Sequence, residues 1–231
     1  MSAKYGMVFG LMASAAALVG REAALPARLL AGWSALSFGV MAVVYLGGGV
    51  QILGKRPDGR RAAWAWPLLG PYFALNGAGF ALYRLSRRGD RPDPIAPGVW
   101  LGRRMTAAEA RRAGMPPWAS VLDLAAEFAE ARPLREGVAY RSIPVLDGTA
   151  PASAELSEAV AWLMGRAGSG PILIHCALGH GRSATVAAAY LMAAGLAPDA
   201  ASAMARIREA RPGVAWNPAQ ARALAGFAPP A

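Results

Sequence analysis

Apolar and polar positions divide the chain into two parts. Up to residue 91 the apolar side chains come in long runs: Tyr5–Gly20, 16 residues without a charge, Leu29–Leu53, 25 residues, and Ala62–Tyr83, 22 residues. A helix crossing hydrocarbon needs about 20 residues. The second run is therefore predicted to span, the third is long enough, and the first is marginal. The first also resembles a signal peptide, with Lys4 ahead of it and Ala-rich sequence behind. It lacks a polar cleavage region and another apolar run follows at once, so an uncleaved helix packed on the second is expected. Gly6, Gly10 and Ser14, four apart, offer small surfaces for that contact. In the third run Pro67 and Pro71 interrupt the helix ladder, and Trp64 and Trp66 favour the membrane interface. The polar stretch 84–94, from Arg84 to Pro94, reads as a linker. Residues 1–91 are thus expected to form a membrane region of two or three hydrophobic helices with a basic linker.

From residue 92 the runs shorten and alternate. Val99–Leu101, Ser120–Leu124, Val138–Val145 and Pro171–His175 have the length and apolar content of buried strands. Thr106 with Glu109 forms a capping-box pattern opening a helix through Arg112. Leu156, Val160, Leu163 and Met164 recur at helical spacing in Ala154–Arg166, with Ser153 as the candidate cap. Helices follow at Ser183–Ala194, Asp199–Ala210 and Pro218–Phe227, the last capped by Asn217 with proline at its first position. Strands alternating with helices predict an α/β domain over 92–231, with a mainly parallel central sheet flanked by helices.

Composition and charge sharpen this division. Hydrophobic residues make up 55% of the chain and charged residues 16%, against a usual quarter. The net charge is +10. Residues 1–91 hold 11 Lys/Arg and 3 Asp/Glu, and the remainder 13 Arg and 11 Asp/Glu, so the basic excess sits beside the apolar runs. That placement suits anionic lipid headgroups and argues against nucleic acid, which would meet basic residues on a folded face. With three full spans and the C-terminal domain inside, six basic residues face the cytoplasm and five face outward. If the third run enters and returns, the counts become nine and two, which the positive-inside rule prefers. A chain rich in Ala and Arg and poor in Lys suggests a GC-rich bacterial genome. The expectation is a multi-pass protein of the bacterial cytoplasmic membrane with its C-terminal domain in the cytoplasm.

One cysteine, Cys176, is present, so no intramolecular disulfide can form. It follows the apolar strand Pro171–His175 and lies in the stretch His175-Cys176-Ala177-Leu178-Gly179-His180-Gly181-Arg182-Ser183. Gly179 and Gly181 let the backbone curl so that consecutive N–H groups point inward, a nest for a tetrahedral dianion. The following helix presents its positive end to the same spot, and Arg182 adds a planar fork for two phosphate oxygens. The same surroundings lower a thiol's pKa and make it a nucleophile. Ser183 could donate a hydrogen bond to the thiolate, His175 could brace the loop through backbone hydrogen bonds, and His180 could face solvent or substrate.

This stretch, HCALGHGRS, resembles the Cys-x5-Arg signature of protein tyrosine and dual-specificity phosphatases. The wider layout, VWLGRR, VLDLAAEF and IPVLDGTAP ahead of the loop, is similar to the subgroup that includes the mitochondrial phosphatidylglycerophosphate phosphatase. The resemblance runs from Val99 to the C-terminus. It implies Cys176 as nucleophile, Arg182 as phosphate clamp, Ser183 as thiolate partner and the backbone of Ala177, Leu178, Gly179, His180 and Gly181 as the phosphate cradle. It also implies an upstream aspartate as general acid. Asp147 is the match, 29 residues before Cys176, with Asp123 as the competing carboxylate and Glu127 as a loop-orienting residue. Arg211, Pro212 and Asn217 match a recurring stretch near the end of such domains and are read as capping and packing residues. The reaction implied is a two-step phosphate-monoester hydrolysis without metal or cofactor. Lysines that mark binders of polyphosphorylated inositol lipids are missing from the loop, and the anchor favours a membrane phospholipid over a phosphoprotein. A non-catalytic phosphate-binding module and a sulfur transferase of rhodanese type are the other readings.

Overall fold

Three long helices take up the N-terminal apolar runs in a computed structural model that describes residues 2–87 and 89–228. Helix α1 is Ala3–Arg21 and α2 is Leu25–Val43, prolonged by a π turn, Val44–Gly48, that ends where Gly47 adopts φ 127°. A short 3-10 turn, Val50–Leu53, precedes α3, Ala65–Ser86, which is kinked at Leu69 two residues before Pro71. Close approach of α1 and α2 uses Gly6 and Gly20, where an added Cβ would lie 2.8 Å from Leu46 and 2.9 Å from Ala31. Gly10 meets nothing within 4 Å and Ser14 turns back to its carbonyl, so the expected Gly6-Gly10-Ser14 contact narrows to Gly6. Tyr5, Phe9, Tyr45 and Tyr72 form a ring cluster among the three helices. Two stretches, Ala3–Arg21 and Leu25–Gly48, are long and apolar enough to cross a membrane, the first run rather than the third joining the second. Met7, Leu11, Leu18, Val19 and Leu29 on them are exposed. Arg88, counted with the linker's basic residues, lies outside the described residues.

The chain divides into two units. One holds the N-terminal helices to Lys55 and resumes for Arg61–Gly89; the other holds Arg56–Arg60 and the chain from Asp90 onward. The second unit is an α/β fold on a five-stranded sheet in the order β1-β2-β5-β3-β4, with β1 Asp93–Ala96, β2 Val99–Arg103, β3 Ser120–Ala125, β4 Ala139–Val145 and β5 Ile172–Cys176. All pairings are parallel except β1 with β2. Strand β1 starts inside the stretch read as linker, which ends at Pro94. Its two-residue spacing is obscured by Pro92 and Pro94, which an edge strand tolerates, and the pairing shifts register beside Pro94.

Alternation along the strands sorts side chains to two faces. Leu122, Leu124, Ile172 and Ile174 join the core formed with α5 Ser153–Met164, α6 Arg182–Ala193, α7 Ala200–Ala210 and α8 Pro218–Ala225, while Val121 and Leu173 face Trp118, Met105 and Leu134 on the other side. Each fully buried leucine or isoleucine contributes about 2 kcal/mol. Helix α4, Ala107–Ala110, keeps its capping box between Thr106 and Glu109 but stops after one turn, short of Arg112, ahead of Gly114 and Pro116. Helix α5 begins at Ser153, so Ser153 is inside the helix instead of capping it. Glu155 accepts the Ala152 N–H there. Asp199 and Asn217 cap α7 and α8 through their side chains.

Candidate active site

Strand β5 is buried throughout and ends at Cys176; α6 starts six residues later at Arg182 and is buried along its first ten residues. The chain between them turns back over the sulfur. Cys176 Sγ accepts from Gly179 N–H at 3.3 Å and from the Ser183 hydroxyl at 3.2 Å. Burial alone pushes the thiol up, but the charge of Arg182 and the hydrogen bonds from Ser183 and Gly179 outweigh it and hold the thiol below its ordinary value. Gly179 is required here: it adopts φ +75°, and a Cβ would lie 2.5 Å from the carbonyl of Gly102. Arg104 N–H donates to the Cys176 and Ala177 carbonyls at 2.9 and 3.1 Å, tying the loop to the end of β2. Ala177 is buried, Leu178, His180 and Gly181 are half-buried, and the His180 carbonyl accepts from Ala215 N–H.

Arg182 is 2% exposed and bound on several sides. Glu127 takes its end-on fork, Nη1 to Oε2 at 2.7 Å and Nη2 to Oε1 at 2.6 Å, and Nη1 also donates to the Val145 carbonyl at 2.8 Å. Burial works against its charge, but Glu127 and Asp147 outweigh it and raise its pKa, so it stays protonated. Asp147 Oδ1 lies 2.9 Å from Nη2 while its side chain is 61% exposed, placing a carboxylate between solvent and the guanidinium. Asp123 sits elsewhere, accepting from Ala125 N–H at 2.9 Å and Tyr140 Oη at 2.7 Å. Of the two aspartates, Asp147 is therefore the one brought to Arg182. Glu127 proves to be a direct partner of the arginine, 55 positions away in sequence.

His175 is buried, with Nδ1 3.2 Å from the Cys176 carbonyl and Nε2 2.9 Å from Glu130 Oε2. Among the described residues one group could hold a metal ion, Asp123, Glu130 and His175, with ligand atoms within 4.8 Å of one another. Tyr140 and the Ala125 N–H donate to Asp123, the Ala131 N–H donates to Glu130 Oε1, and Glu130 Oε2 lies against His175.

Two supports escaped the sequence reading. Arg211, read as a packing residue, donates through Nε to the Gly179 carbonyl at 3.1 Å and is held by Asp90 at 3.0 Å and Asp93 at 2.6 Å. Asn217 and Gln220 cap α8, and their side-chain amides also donate to the Gly148 and Thr149 carbonyls at 2.9 and 3.0 Å, just past Asp147. Only the neighbouring Arg-Pro and Asn-Pro pairs hinted at either role.

The dual specificity phosphatase catalytic domain matches residues 116–228. No curated protein sequence matches the chain. Among solved structures, Tk-PTP in its active form is 30% identical with a TM-score of 0.50, covering 58% of this chain and 92% of that one. PTPMT1 is 25% identical with a TM-score of 0.50, covering 59% and 93%. PTPMT1 in complex with PI(5)P is 24% identical with a TM-score of 0.54, covering 60% and 94%, a likeness of fold. The likeness to Tk-PTP, 30% identical over 92% of that chain, together with a Cys-x5-Arg loop curled between a buried strand and a buried helix, shows that the chain belongs to the dual-specificity and tyrosine phosphatase family.

Proposed function

We propose that this chain is a membrane-anchored, cysteine-dependent phosphatase that hydrolyses phosphate monoesters through a cysteinyl-phosphate intermediate, with a membrane phospholipid as substrate. The observation that carries the chemistry is the convergence on one sulfur: Gly179 N–H, the Ser183 hydroxyl and the Arg182 charge all lower the thiol, and Asp147 stands beside Arg182.

Glu127, Val145 and Asp147 engage the Nη hydrogens of Arg182, and its side-on fork, Nε with Nη2, suits two phosphate oxygens. An arriving phosphate displaces Asp147 from Nη2, and the exposed carboxyl turns to the leaving oxygen. The Cys176 thiolate attacks phosphorus as the bond to the leaving oxygen breaks, and Asp147 in its acid form gives that oxygen its proton. In the second step water attacks phosphorus, Asp147 takes the water's proton, the S–P bond breaks and inorganic phosphate leaves. Ser183 then stabilises the returning thiolate. The loop N–H groups and Arg182 hold the oxygens where charge gathers.

A single phosphate group fits the charge available. The loop carries no lysine, and Arg211 beneath it is paired with Asp90 and Asp93. The exposed apolar α1 and α2 support an anchor, and tethering raises the effective concentration of a substrate in the membrane plane. PTPMT1, similar in fold, has been solved with the phosphoinositide PI(5)P, which is in keeping with a lipid phosphate. Residues Arg56–Arg60 belong to the catalytic unit, which supports both ends of the third apolar run lying on the cytoplasmic side of a bacterial membrane; since α3 is one kinked helix, that run lies along the interface instead of entering and returning.

Full-length protein in lipid or detergent, given phosphatidylglycerophosphate or phosphotyrosine peptides, tests the substrate, with Cys176→Ser as control. Cys176-dependent preference for the lipid is expected. Preference for the peptide would make membrane-associated phosphoproteins the substrate instead.

A further inference from the structure

The loop Arg56–Arg60 joins the second apolar run to the third in sequence, yet it belongs to the catalytic unit. Its residues Pro57, Asp58 and Gly59 form a tight turn, with Gly59 N–H donating to the Arg56 carbonyl at 2.9 Å and Arg60 N–H to Asp58 Oδ1 at 3.0 Å. Gly59 is buried, and its carbonyl accepts the Glu130 N–H at 2.7 Å. At φ +78° it has no room for a side chain: a Cβ would lie 2.6 Å from Tyr140 Oη and 3.0 Å from Glu130 Cβ.

Glu130 carries this contact inward. Its carboxylate is fully buried and meets His175 Nε2 at 2.9 Å, and His175 Nδ1 meets the Cys176 carbonyl at 3.2 Å. A carbonyl only accepts, so Nδ1 must hold a proton for this last contact to be a hydrogen bond. Nε2 of the same ring lies against the buried Glu130 carboxylate, so replacing Glu130 disturbs the ring that braces the nucleophile's own peptide. Tyr140, against which Gly59 packs, meanwhile holds Asp123 in the same cluster.

We propose that Arg56–Arg60, which joins the second apolar run to the third in sequence, is a positioning element of the catalytic centre, acting through Glu130 and His175 on the main chain at Cys176. The inference rests on the phosphatase reading of this loop.

Cys176 is the single cysteine, so its alkylation rate against pH reports the loop without any substrate. The groups facing it are Arg182, backed by Glu127 and Asp147, and the Ser183 hydroxyl, while His175, against Glu130, meets the Cys176 carbonyl. The experiment compares full-length wild type, Gly59→Ala and Glu130→Gln in detergent by thermal unfolding, alkylation profile and hydrolysis of a small aryl phosphate. Expected for both variants is a cooperative unfolding transition, an alkylation midpoint moved to higher pH, and kcat lowered about 10-fold or more. KM for the aryl phosphate should change less than about 2-fold, since the anion cradle keeps its donors. Folded variants with wild-type alkylation and kcat would overturn the proposal. If Gly59→Ala does not fold, the near-isosteric Glu130→Gln decides alone, and wild-type behaviour there overturns it. A wild type silent on every phosphate monoester, with alkylation still shifted in the variants, would support the positioning link while overturning the phosphatase reading.

Discussion

Arg182 is a buried cation whose charge is balanced by one buried carboxylate, Glu127, and one exposed carboxylate, Asp147. The two should respond differently to mutation. Glu127→Ala leaves the guanidinium without its end-on partner, a loss of about 3–5 kcal/mol for a broken buried pair. Thermal unfolding should show that loss, and kcat/KM should fall with it as the fork loses its aim. Asp147→Asn removes no buried contact and should leave unfolding close to wild type. It should lower kcat on alkyl phosphates by about 10²–10⁴-fold, the usual range for a general acid. Equal effects of the two substitutions on stability would contradict the division of labour drawn here. Local spacing made Cys176, Arg182 and Ser183 legible, because strand, loop and helix are contiguous in sequence. Glu127, Glu130 and Arg211 were read weakly or missed, because their partners lie far along the chain and nothing nearby signals them.

Among the elements, α4 is the shortest helix and among the most heavily charged in its fixings. Glu109 caps it and pairs with Arg103 at 2.9 Å, with Asp90 3.5 Å from the same arginine. Burial pushes the Glu109 carboxyl up, but hydrogen bonds from Arg103 and Thr106 and the charge of Arg103 outweigh it, bringing it down to about 2 from 4.5. A depressed folded value stabilises above the unfolded one, so this contribution of about 3 kcal/mol is complete above roughly pH 5 and lost as pH falls from there toward 2. Glu109→Gln should therefore lower the unfolding temperature at pH 7 and flatten its decline between those limits; a decline as steep as wild type would contradict this. Element boundaries were legible where periodicity was clean, as in β3, α7 and α8. They were not legible at β1, where prolines mask the alternation, nor at α5, where a serine at the right place is helical and the cap is an alanine.

At the scale of the whole molecule, the apolar runs announced three helices, and hydropathy set α1 and α2 apart from α3. The side of the membrane on which the intervening turn lies was open in the sequence, where charge counting alone preferred the catalytic side. Asp58→Cys in a Cys176→Ser background provides one thiol in that turn. In oriented vesicles a membrane-impermeant reagent should label it only from the side that exposes the catalytic unit. Labelling from the opposite side would break the topology proposed and, with it, the contact between Gly59 and Glu130.

The central claim is that phosphate passes through Cys176, and the most direct measurement is acid-quenched mass spectrometry of full-length protein caught during turnover of a phosphate monoester. One phosphoryl group is expected on the peptide containing Cys176, accumulating in Glu130→Gln no faster than in wild type and absent in Cys176→Ser, which should release no phosphate. Phosphate release that persists in Cys176→Ser, with no adduct on that peptide in the wild type, would contradict it.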